Sequence, residues 1–160
     1  MPELTFRLQP AVKGVLRELV TLVTRSLEGE LAIEEEAPGD AGDLAQYWNE
    51  GLQDELRADC AALLDLFDRE GFGKKTLTIG DDEAERLLRA ASAVRLKIHR
   101  SLLRHVRDAE LERGQLDMRR LSGDQQRAYA AYLFLAALQE ALVQALDPES
   151  SEVEPPEQEN

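Results

Sequence analysis

The sequence predicts a mainly α protein: a four-helix bundle-like single domain over residues 1–146, with at most two short β-strands (about 4–8 and 76–79), followed by a disordered acidic tail over 147–160. Three observations carry this expectation. Four long stretches repeat their apolar residues at helical spacing. Glycine, proline and acidic clusters separate those stretches. Only two short pieces alternate apolar and polar residues as strands do. A chain of 160 residues suits one domain with a real core.

The elements follow in order. In "LTFRL", Leu4, Phe6 and Leu8 alternate as in a short strand. Pro10 stands where a first helical residue tolerates proline. Val12, Leu16, Leu19, Val20, Val23 and Leu27 then share one face of a helix reaching about Glu28. Residues 29–42, acidic and holding Pro38, Gly39 and Gly42, read as a loop. Asp43 is placed to cap a second helix, whose inner face would carry Trp48, Leu52, Leu56, Leu63 and Phe67, with Gly51 as a weak point. Gly71 and Gly73 end it. Leu77 and Ile79 form the second extended piece, and two such pieces should pair with each other because a lone strand leaves its backbone unsatisfied. Asp81 and Asp82 favour the start of a third helix running to about Ala109. Ser122 with Gln125 makes a capping box for the fourth, which Pro148 stops after Leu146. Residues 147–160 hold six acids, no base and three prolines, a composition that resists folding.

Composition narrows the function. The net charge is −13, a field that disfavours nucleic acid and anionic membranes. One cysteine, Cys60, excludes an internal disulfide and fits a cytoplasmic setting. The N-terminal residues show no signal-peptide pattern, and no membrane association is expected. His99 and His105 are six apart and cannot share a metal on one helix face. No metal-binding, phosphate-binding or nucleophile motif occurs, so neither an enzyme nor any cofactor is expected.

Two constellations remain. On the third helix, Arg86, Arg89, Lys97, Arg100, Arg104 and Arg107 form a stripe opposite the apolar face of Leu87, Leu88, Ala91, Ile98, Leu102 and Val106. Such a stripe reads as a solvated face, with Glu85 near Arg89 at i+4. It also reads as a docking stripe for an acidic partner, the chain's own tail included, or as a nucleic-acid footprint lacking aromatic residues to stack on bases. The second constellation centres on Arg95, in the middle of that apolar arc. On the fourth helix Gln139 is equally central among Tyr132, Leu135, Ala136, Leu142, Val143 and Leu146. Two polar residues on facing apolar arcs should meet, with Glu140 or Asp59 neutralising the charge. The network is either structural or lines a small ligand pocket between helices.

"DELR" at 54–57 after Tyr47-Trp48, "LLRAASAVRLKIHRSLL" at 87–103 and "YLFLAALQEALVQAL" at 132–146 resemble the bacterial domain-of-unknown-function 2017 family over roughly residues 5–146. Arg95-Leu96 and Leu138-Gln139-Glu140 are the matching positions. Leu87-Leu88 and Ala91-Ser92-Ala93 depart from the tryptophan and Ala-Leu-Asn run common in that family. The resemblance implies no established activity. It implies genes often beside that of the Clp protease adaptor of the N-end rule, hence an accessory role in proteolysis or sulfur-carrier metabolism. Some members are labelled transcriptional regulators.

The expected function is therefore non-enzymatic: a cytoplasmic regulatory or interaction protein with a protein partner, a homodimer being one form of that contact. The alternatives are a DNA-binding regulator using residues 86–107 and an anion sensor built on Arg95.

Overall fold

A computed structural model of the chain describes residues 3–34, 42–107, 110 and 117–147, apart from the side chains of 28–34, 42–50 and 52. Among these residues the elements run β1 (Glu3–Leu4), α1 (Pro10–Glu34), α2 (Gly42–Asp68), β2 (Leu77–Thr78), α3 (Asp81–Ser101), a 3-10 turn (Met118–Arg120) and α4 (Gly123–Leu146). The mainly α expectation holds, with four helices and one small sheet among the described residues. The two strands do pair with each other, antiparallel, Leu4 opposite Leu77. Each is shorter than its alternating stretch. Beyond Leu4 the contact continues irregularly, through Thr5 Oγ1 with Thr76 Oγ1 at 2.7 Å and Leu8 N–H donating to Gly73 O at 2.9 Å.

Gly73 is required where it stands. Its φ is +87°, and a Cβ there would come within 3.2 Å of Leu8 Cβ. Gly51, inside α2, meets no neighbour within 4 Å among the described residues.

The core is built on two matching seams. α3 buries Ala84, Leu87, Ala91, Val94 and Ile98, and α4 buries Ala128, Ala131, Leu135, Leu138 and Leu142. Both rows alternate three- and four-residue steps, the spacing that lets helices pack side by side at a shallow angle. The alanines let the two backbones approach closely. α2 lies on the other side of α3, and α1 spans all three, burying Leu16, Val20 and Val23.

At one end of the bundle all four phenylalanines of the chain come together. Phe67 and Phe72 have ring centroids 5.4 Å apart, Phe6 and Phe134 5.5 Å, and Phe67 and Phe134 5.6 Å. The ammonium of Lys13 sits 5.8 Å from the centre of the Phe72 ring.

Several boundaries differ from expectation. α1 continues through residues 29–34, read from sequence as loop, because that stretch still holds Leu31, Ala32 and Ile33. Residues 35–41 lie outside the described residues, as do 148–160 of the acidic tail and the side chains of Trp48 and Leu52. Asp43 stands inside the first turn of α2 rather than at its cap. α3 ends at Ser101, well short of Ala109. Past it, Leu103 N–H reaches back to Ile98 O at 3.1 Å, and the turn buries Leu103 and Val106. A straight helix would have carried Leu103 off the core face. The Ser122–Gln125 capping box is formed, with Gln125 N–H donating to Ser122 Oγ at 3.2 Å and Ser122 N–H donating to Gln125 Oε1 at 3.0 Å. α4 is long and apolar enough to cross a membrane, with mean hydropathy 1.3. In the fold Ala128, Ala131, Leu135, Leu138 and Leu142 are buried, while Leu133 and Val143 stay exposed.

Two stability predictions follow from these contacts. Gly73→Ala should destabilise by about 1–2 kcal/mol or more, since it adds a left-handed penalty to a close contact. Gly51→Ala should stabilise by about 0.5–1 kcal/mol. Urea unfolding of both variants checks the pair, and equal responses would contradict this account of Gly73. The second concerns Asp68, which takes two hydrogen bonds from Arg17, Nε at 2.7 Å and Nη2 at 2.8 Å. Those bonds hold the Asp68 carboxyl below its ordinary pKa. A depressed carboxyl stabilises the fold above about pH 4 and loses that contribution as pH falls further. Asp68→Asn should therefore flatten the acid limb of stability against pH while leaving its slope near neutrality unchanged.

Candidate functional site

Arg95 and Gln139 lie where the two seams of α3 and α4 meet solvent. At roughly 100° per residue, each sits about 60° from the middle of its own buried row, and to the same side. The buried arcs are thus rotated from those read off the sequence. Ala90 and Val94 are buried on α3 and Leu138 on α4, while Val143, expected inside, is 49% exposed. The common sense of rotation still brings Arg95 and Gln139 together, at the rim of the interface and half-buried.

Their contacts form a closed set. Arg95 Nη1 donates to Gln139 Oε1, and Nη2 donates to Tyr132 Oη at 3.1 Å. The guanidinium carbon lies 4.6 Å from the centre of the Tyr132 ring. Gln139 Nε2 donates to Ser92 Oγ at 2.6 Å and, more weakly, to Leu88 O at 3.4 Å. Among the described residues the buried Arg95 Nε–H has no hydrogen-bond acceptor. Ser92 and Tyr132 belong to this network and were not assigned to it from sequence. The sequence places Tyr132 on the apolar face of α4, and its position seven before Gln139 puts both on one side of the helix.

Two residues assigned to the network do not belong to it. Glu140 is exposed, because it is one residue, about 100°, past Gln139 and points away from α3. Asp59 is buried but on the α2 side of α3, where Arg89 meets it through Nε at 2.9 Å and Nη2 at 3.0 Å. These two hydrogen bonds, more than any other contact, raise the Arg89 pKa above its ordinary value. A buried carboxylate needs such a partner.

This pairing also removes a member of the cationic stripe. Arg89 is engaged with Asp59, and Arg104 and Arg107 lie beyond the end of α3 in the turn. Arg86 and Arg100 are exposed, and Lys97 lines a hollow described below. Four of the six cations, Arg86, Arg89, Lys97 and Arg100, therefore share one face of α3, and Arg104 and Arg107 follow its end.

The hollow beside Arg95 is small, about 190 Å³, between Ser92, Leu96, His99 and Tyr132. Within it each Nη group of Arg95 donates one hydrogen bond to a protein acceptor, Gln139 or Tyr132. Among the described residues no group of three or more His, Cys, Asp or Glu is placed to hold a metal ion. Cys60 is buried in α2.

A larger feature was not foreseen. Between α1, the end of α3 and the start of α4 runs a groove of about 600 Å³, walled by Val15, Leu19, Leu22, Lys97, Leu102 and Arg127. A second hollow of about 360 Å³ shares Val15 and Arg127 with it and extends to Val12 and Ala130. The α1 wall is open: Leu22 is 57% exposed, Val12 42% and Val15 39%. Val12 and Leu19 were read as inner-face residues. They form the inner edge of this outer row, because α1 is apolar over an arc too wide for one interface.

A family model described as a domain of unknown function (DUF2017) matches residues 31–146, so most of α1 precedes the matched span. No curated protein and no solved structure matches the chain.

Arg95→Ala should cost about 1.5–3 kcal/mol, the range for hydrogen bonds to a charged group. Arg95→Met combined with Gln139→Leu should recover much of that loss, and a double-mutant cycle by urea unfolding reads the coupling. A change below about 0.5 kcal/mol for Arg95→Ala, as at ordinary surface positions, would mean the network does not form.

Proposed function

We propose that this chain, which belongs to the DUF2017 family, is a non-enzymatic cytoplasmic interaction module that receives an apolar helix in the groove between α1, α3 and α4. The supporting observation is the open α1 wall. An isolated exposed leucine is ordinary, but a continuous apolar row bordering a hollow of about 600 Å³ has the form of a docking surface. Lys97, Asp124 and Arg127 give it the charged margin that protein interfaces carry at their rims. The groove is the support for protein contact; the family resemblance is the support for Clp-type proteolysis as its process. The DNA-binding and anion-sensing readings have less support, since Arg104 and Arg107 lie beyond the end of α3 and the hollow beside Arg95 is only about 190 Å³.

The test is positional. A photo-reactive residue placed at Leu22 should give covalent adducts in cells, whereas one at the exposed Glu140 should give few. Equal yields at the two positions, or none at either, would remove the groove from consideration.

A further inference from the structure

α1 carries two apolar rows on adjacent flanks. The inner row, Leu16, Val20, Val23 and Leu27, packs on the core. The outer row, Val12, Val15, Leu19 and Leu22, continued by the small polar Ser26, repeats the alternating steps of three and four with which α3 and α4 pack each other. Its occupant is therefore expected to be a helix. Charge says which. On the solvent side the row is bordered by Glu18 and Arg25, both exposed, opposite in sign and seven residues apart. Two copies of α1 laid antiparallel across a two-fold axis near Thr21 set Leu19 against the partner's Leu22. The same operation brings Glu18 near the partner's Arg25, and does so twice by symmetry. A parallel pairing turns Glu18 toward the partner's Val23, where no cation stands.

We propose that the outer row of α1 seats a second copy of this chain, in a two-fold dimer made by antiparallel α1 helices with reciprocal Glu18–Arg25 contacts. This rests on the reading of the groove as a docking surface and names its occupant.

Sedimentation equilibrium of the full chain over roughly 1–100 µM should show a dimer. Leu22→Asp should raise the dissociation constant by about a hundredfold or more, since it places a charge in an apolar seam. Glu18→Arg should weaken association by about fivefold, and Glu18→Arg with Arg25→Glu should restore it. Leu22, Glu18 and Arg25 are all exposed in the single copy, and circular dichroism melting verifies that each variant folds. The charge exchange decides the matter if Leu22→Asp does not fold. A wild-type chain that is monomeric at the top of the range, or a dimer indifferent to these substitutions, overturns the proposal. A monomer whose residue-22 cross-linker captures a different protein overturns the dimer alone and leaves the docking reading standing. An adduct with the chain's own residues 108–116 overturns both.

Discussion

The fold depends on the closure of one end of the bundle by aromatic rings. Phe67 and Phe72 are close in sequence, but Phe6 and Phe134 come from opposite ends of the chain, and all four rings meet within 5.4–6.2 Å. Edge-to-face and tilted contacts of this kind add to the burial of large apolar surfaces. Their arrangement ties the N-terminal strand, the end of α2, the turn after it and the middle of α4 to a single point. The turn can reach that point only because Gly71 and Gly73 adopt φ near +90°. The short β1–β2 pairing then needs few hydrogen bonds of its own, since Phe6 and Leu4 already hold the segment against the core.

Away from that end, polar contacts decide how the helices are set against one another. The α3–α4 seam is made of alanine, leucine, valine and isoleucine, which would tolerate some sliding along the helix axis. Arg95, Gln139, Ser92 and Tyr132 lock it at the rim, because a one-turn shift would separate every donor from its acceptor. On the opposite side of α3, Asp59 and Arg89 do the same for α2. Neither cluster resembles a reaction centre. Both sets fix register, one of the better attested uses of polar groups at helix interfaces.

Among the described residues, the outer flank of α1 presents exposed Val12, Val15 and Leu22 beside a hollow. Its row differs from scattered surface leucines in continuity, in spacing and in the hollow beside it. The net charge of −13 disfavours indiscriminate association, so a specific contact must rest on shape and on local complementary charges such as Glu18 and Arg25.

What the sequence by itself determined was the class of structure and its punctuation. Periodicity, Pro10, Asp81 and Asp82, the Ser122–Gln125 box and the glycines near 71–73 are local signals, and local backbone chemistry is enough to read them. The meeting of Arg95 with Gln139 was also readable, since both interrupt apolar arcs that had to face each other. The tertiary structure decided which part of each arc is buried. α4 is apolar around most of its circumference, so hydrophobicity alone could not orient it; the alanines of α3 and α4, which allow close approach, and the pull of Phe134 toward the aromatic end did. The same packing gave Asp59 to Arg89, because only the placement of α2 shows which arginine faces it. It also stopped α3 at Ser101, because Leu103 could be buried only by leaving the helix. It left the outer row of α1 uncovered for the same reason: an arc too wide for one neighbour shows in the sequence merely as more hydrophobic helix, and the part that stays exposed is known only once the neighbours are in place.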